Sequence, residues 1–238
     1  MRRFFLLFLV VSSLAYSAEF DDDEFDDSFD DEFSLVKQDS FDPLSGYNRV
    51  MTTFNDGLYT YVVFPIGNVY SAILPSPIRE SISNFFNNLK YPLRLVNNLF
   101  QLKFENSYIE TQRFLLNSTV GMAGLFDPAY DWYKIEQKNE DFGQTLGYYG
   151  VGGGFHIVLP FFGPSNLRDS LSLIADWQID PFFYQLGFEE SLSVSSFEYF
   201  NKYSSKEEEY KALKKGALDN YLLFKDIYEQ QRIKEIEK

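Results

Sequence analysis

Residues 76–100 read SPIRESISNFFNNLKYPLRLVNNLF, and they decide the fold class. Ile78, Ile82, Phe85, Phe86 and Leu89 recur at helical spacing. Ser76 before Pro77 predicts a helix start, with serine as cap and proline in the first turn. Pro92 opens a second piece that carries Leu93, Val96, Leu99 and Phe100 on one side. Two short amphipathic helices in 25 residues, separated by a proline, set the pattern for the chain.

Working outward, the pattern repeats. Val50, Met51, Phe54, Leu58, Tyr61 and Val62 keep a helical period until Pro65, which is expected to interrupt it. Residues 105–118 form another helix, and Gly121 and Gly124 mark its end. Ser165 is expected to cap a helix with Leu167, Leu171, Ile174 and Trp177. Ser205 and Glu208 suggest a capping box for a last helix, with Tyr210, Leu213, Ala217, Tyr221, Phe224 and Tyr228 as its stripe. The final ten residues are mostly charged and are expected to fray. No alternating strand series and no long repeat appears. The fold class is therefore all-α, built of short amphipathic helices.

Residues 141–164, DFGQTLGYYGVGGGFHIVLPFFGP, depart from that pattern with seven glycines and two prolines. They read as a loop or hairpin whose mobility comes from Gly150, Gly152, Gly153 and Gly154. A phosphate loop fits less well, because no Gly-Lys-Ser/Thr ending follows.

Residues 1–17 read as a secretory signal: Arg2 and Arg3, the apolar run Phe4 to Val11, then small residues. Residues 18–40 read as an acidic disordered tether, because 19–33 holds ten carboxylates and no base. Phe20, Phe25, Phe29 and Phe33 also fit one stripe of a helix formed on a partner. Residues 41–238 are left as one helical domain, with about 205–238 as C-terminal helix and charged tail. A net charge of −14 disfavours nucleic acid. The absence of cysteine excludes thiol catalysis and thiolate metal sites. His156, the sole histidine, has no G-x-S-x-G elbow to serve and no ligand spacing around it. Neither a catalytic residue, a metal site nor a cofactor is expected. Asp127 and Asp180, each before proline, read as turn formers, and Asp169 as a first-turn carboxylate. The 26 phenylalanines and 17 tyrosines suit a membrane boundary or an aromatic-rich soluble core equally.

Four segments, taken in order, resemble one family. They are DPLSGYNRVMTTFND (42–56), NFFNNLKYPLRLVNNLFQ (84–101), RFLLNSTVGMAGLFDPA (113–129) and EDFGQTLGYYGVGGGFHIVLPFFGPSNLRDS (140–170). Together they look like the MlaA family, also called VacJ, of outer-membrane phospholipid-transport proteins. The resemblance implies a ring-like, helical protein with a Gly-rich hairpin, embedded in the membrane interface at the periplasmic face of the outer membrane. It implies removal of mislocalised phospholipid from the outer leaflet through an amphipathic channel. It also implies a trimeric porin and a soluble periplasmic lipid carrier as partners, and no chemical step. By resemblance, Gly147, Gly150, Gly152, Gly153 and Gly154 belong to the channel's gating hairpin, and Phe54 and Asn55 to the helix bordering it. Family members usually carry a lipidated cysteine, and this sequence has no cysteine. Attachment would then rest on amphipathic helices, porin contacts or an uncleaved signal. A structural adapter of porin complexes is the second reading, and a lipid hydrolase acting through His156 the third.

Overall fold

The computed structural model describes residues 42–238; the signal and acidic tether lie outside them. The chain enters a long helix, α1 (Ser45–Leu58), that continues through a π-helical segment (Tyr59–Val63) into α2 (Phe64–Ile73). Pro65 therefore does not interrupt the chain, contrary to the sequence expectation. The π-segment is the reason: the Phe64 N–H reaches back five residues to the Tyr59 carbonyl. Shifting the register just before proline makes room for a ring that lacks a donor and would clash with the carbonyl four residues back.

Next come α3 (Ser76–Leu89), α4 (Tyr91–Phe100) and α5 (Phe104–Thr119), as the periodicity predicts. Ser76 itself lies inside α3 and makes no side-chain cap; Pro75 holds the cap position. After α6 (Pro128–Tyr133), α7 (Phe142–Tyr148) leads to a two-stranded hairpin of β1 (His156–Leu159) and β2 (Gly163–Asn166). Then follow α8 (Leu167–Ile179), α9 (Pro181–Gln185), α10 (Phe188–Tyr203), α11 (Glu207–Lys214) and α12 (Asn220–Ile236). Asp127 and Asp180 cap α6 and α9, as their Asp-Pro pairs predict.

Two caps move by a residue or more. Ser165 is paired across the sheet with Ile157, so Asn166 caps α8 instead, accepting from the Asp169 N–H at 2.8 Å. No Ser205–Glu208 box forms, because α11 starts at Glu207 behind Lys206. The expected last helix is two, broken at Gly216, whose φ is +88°. Asp219 restarts the chain by accepting from the Tyr221 and Leu222 N–H groups. The final residues are not frayed: α12 runs to Ile236, and Arg232 within it is held in ion pairs.

Asparagines join α1 to the hairpin. Asn48 donates to the His156 carbonyl (3.0 Å) and accepts from the Val158 N–H (2.8 Å). Asn55 does the same for the Leu159 carbonyl (2.9 Å) and the Phe161 N–H (2.8 Å). The spacing fits both elements. Seven helical residues rise about 10.5 Å, and three strand residues advance about 10 Å.

The distribution of side chains is inverted. Among the described residues five hydrophobic side chains are buried, against 27 polar or charged ones, so apolar burial alone does not hold this interior together. Phe64, Phe86 and Tyr221 are the buried aromatics; Tyr61, Phe100, Phe104, Phe126, Trp132 and Tyr133 are exposed. The aromatic surplus is thus not a packed core. No single described helix is long and apolar enough to cross a membrane; Ser45–Ile73 and Ser76–Leu89, which meet at a 113° bend, pass that test only together.

Candidate functional site

The glycine-rich stretch divides into a helix and an extended lead-in. Asp141 and Gln144 make a capping box at the start of α7. Gly147 lies within α7, where a Cβ would come 2.7 Å from Ile236 and 2.8 Å from Arg168. Gly150, with φ +85°, ends the helix in open space, and Gly152 also has open space around it. Gly153 abuts Asn166, and Gly154 abuts Leu167. Residues 151–155 run beside the start of α8, whose Leu167 and Arg168 N–H groups donate to the Phe155 and Gly153 carbonyls. None of the five glycines lies in a strand. Asn55 touches the hairpin directly, and Phe54 meets Phe161 edge-on at 5.4 Å.

A buried charge cluster ties this stretch to α12. Asp169 accepts from Arg168 (2.8 Å), Arg232 (2.8 Å) and the Tyr228 hydroxyl. Arg232 also grips both Asp141 oxygens at 2.6 and 2.7 Å. Burial alone would raise the Asp169 carboxyl, but its hydrogen bonds to the two arginines hold it at about 2. Asp176, which accepts from the Phe142 N–H, is pushed up to about 7 by burial and by the charge of Asp141.

Beside this cluster a polar opening of about 500 Å³ is lined by Asn87, Lys90, Arg94, Gln144, Glu198 and Glu235, among others. Lys90 reaches Glu198 at 2.6 Å, joining the α3–α4 junction to α10. Gln144 donates to Glu235 at 3.3 Å, joining α7 to α12. Behind its wall, Arg94 pairs with Glu110 at 2.6 Å, both buried. Of the residues expected in the site, only Gly147 sits on an element that borders this opening. A second, apolar hollow of about 160 Å³ lies against the hairpin and includes Asn55 and His156 in its wall. His156 is buried against Tyr221 and Tyr228, and burial, with the charge of Lys225, lowers its imidazole to about 4.

The model of the family described as MlaA lipoprotein matches residues 40–235. The chain belongs to the MlaA lipoprotein family. Two MlaA relatives, from Escherichia coli (strain K12) and Shigella flexneri, are 39% identical over 143 residues. Both are named intermembrane phospholipid transport system lipoprotein MlaA. Each alignment covers 59% of this chain and spans 57% of the relative's length. A Rickettsia bellii protein is 27% identical over 236 residues, covering 98% of this chain and 92% of that one. A solved structure, presented as the structural basis for maintenance of bacterial outer membrane lipid asymmetry, superposes with a TM-score of 0.74. It is 32% identical and covers 83% of this chain and 100% of its own. The helical MlaA fold expected from the sequence is therefore the fold observed.

Within that MlaA fold, sequence reasoning passed over Asn48, Arg94, Glu110 and Arg232. The available signal was asparagine within helical runs, at 48, 55, 88, 97, 98 and 117, where its propensity is poor.

Proposed function

We propose that this chain removes phospholipid displaced into the outer leaflet of a Gram-negative outer membrane and passes it toward a soluble periplasmic carrier. The observation that carries this reading is the inverted distribution of side chains. Ile66, Val69 and Ile73 on α2, Phe100 on α4, and Trp132 and Tyr133 on α6 face outward. Lys90, Arg94, Glu198 and Glu235 line a hollow within. An apolar exterior suits lipid tails, where short amphipathic helices can lie in the interface without spanning it. A lining with both signs of charge suits a headgroup that carries phosphate and amine together. The names of the relatives point the same way. On this reading the helices form a ring in the inner leaflet, a porin trimer holds it, and no cofactor or chemical step is needed. The lead-in at Gly150 and Gly152 is the hinge for the adjoining hairpin.

The test is deletion of the gene followed by measurement of phospholipid exposed on the cell surface. Complementation with wild type and with Gly152→Pro completes it. Surface phospholipid is expected to rise and to fall again only with wild type. Rescue by Gly152→Pro at the wild-type level would remove the hinge. Unchanged surface phospholipid in cells lacking a redundant route would remove transport and favour the structural adapter.

A further inference from the structure

The apolar hollow against the hairpin is distinct from the polar opening used above. Its wall is formed by Tyr59, Val158, Tyr199, Tyr203, Tyr210 and Phe224, with Phe162 from the hairpin turn and His156. Most of the wall's polar atoms are engaged with partners in the protein, while the two His156 ring nitrogens are buried without a hydrogen bond. Tyr59 donates to Tyr199 at 2.6 Å, and Tyr210 donates to Asp56 at 2.8 Å. Lys225 meets Asp42 at 3.1 Å, and the Tyr221 hydroxyl donates to the same carboxylate. What the wall presents to an occupant is therefore mostly carbon. Burial raises the Tyr59 phenol to about 12 and raises Tyr199 and Tyr210 as well, which keeps all three neutral.

Size narrows the occupant. An apolar protein cavity of about 150 Å³ takes one benzene ring. A hollow of about 160 Å³ thus admits the end of one hydrocarbon chain and not two. One charged group in the wall reaches solvent: the Lys206 side chain is 46% exposed and pairs with the more exposed Glu209. Exposed pairs of this kind are weak and can be shared with an arriving anion.

We infer that this hollow is a binding site for the tail of a single-chain anionic amphiphile, such as a free fatty acid. Its chain would lie among the tyrosines with its head at Lys206. The site goes beyond phospholipid passage, because the hairpin's Val158 and Phe162 form part of the wall and an occupant would brace them.

His156 is the sole histidine of the sequence, so its imidazole Hε1 gives one NMR signal from within the wall. The full chain, held in an amphipathic polymer, is titrated with decanoate, 1-decanol and dihexanoylphosphatidylcholine. A saturable shift of that signal is expected with decanoate, weaker with decanol, and at least tenfold weaker with the two-chain lipid. Phe162→Trp, which enlarges a side chain of the wall, should weaken decanoate at least tenfold. Lys206→Glu, at an exposed position, should weaken decanoate and leave decanol unchanged. No saturable shift with decanoate overturns the site. Equal binding in Phe162→Trp and wild type overturns its location. Two-chain lipid binding as tightly as decanoate overturns the single-chain restriction, and Lys206→Glu without effect on decanoate overturns the placement of the head.

Discussion

The outer face of α2 and the contact of α4 with α5 are opposites. On α2, Ile66, Val69 and Ile73 stand 54%, 61% and 71% exposed. Between α4 and α5, Arg94 and Glu110 are enclosed, with side chains 8% and 0% exposed. In a water-soluble domain the assignments would be exchanged. The difference separates two sources of stability. The interior is held by groups that must each keep a partner, and the exterior by whatever medium surrounds it.

Removing one partner inside should therefore give the largest effect. Glu110 accepts from Arg94 and from the Lys138 N–H. Glu110→Ala leaves a buried guanidinium without its carboxylate, a loss expected to cost about 3–5 kcal/mol. Denaturant unfolding in detergent measures it; a change under 1 kcal/mol would dissolve the contrast between the two regions.

A smaller effect is expected from pH. The Asp176 carboxyl stands at about 7 when folded, against 3.8 unexposed to the fold's influence. An acid whose folded value is raised binds its proton more tightly in the folded state. Its contribution to stability is full below about pH 4 and is lost as pH rises to about 7. His156, lowered to about 4, works the other way in this window, and Asp169, at about 2, does so below it. The comparison is therefore with Asp176→Asn, which retains an acceptor for the Phe142 N–H. The Tm of the variant relative to wild type should rise between pH 4 and pH 7 and level off above. A constant difference across that window would contradict the assignment.

The smallest effect on folding belongs to the outer face. Val69→Asp should change stability in detergent by no more than about 0.5 kcal/mol, yet weaken association with phospholipid vesicles in flotation. A variant that unfolds instead would show that α2 is supported from outside by protein contacts of its own.

Helix existence was legible in the sequence because period does not depend on which side is wet. The stripes on α3 and α4, and the helical run that became α5, were correctly placed for that reason. The side they face was not legible: apolar period marks one face of a helix, and either a core or a lipid surface can receive it. Pro65 misled because the remedy, a π-register shift over Tyr59–Val63, has no residue signature of its own. The end of the chain misled because Arg232 reads as one more charge in a polar tail, and only the approach of Asp141 and Asp169 gives it a structural role. In the candidate site, the glycines announced a break and a hairpin, but not the helix Phe142–Tyr148 that precedes it. The polar opening draws on α3, α4, α7, α10 and α12, which no local motif brings together.

The asparagines of α1 have one more consequence. β1 pairs with β2 along one side, and an outer β-edge is a template on which a second molecule can add a strand. Asn48 takes two groups on that side, the His156 carbonyl and the Val158 N–H, and Asn55 holds the turn through the Leu159 carbonyl and the Phe161 N–H. Along β1 a helix thereby stands in for a third strand, and that edge of the short sheet is occupied before the protein ever meets another copy of itself.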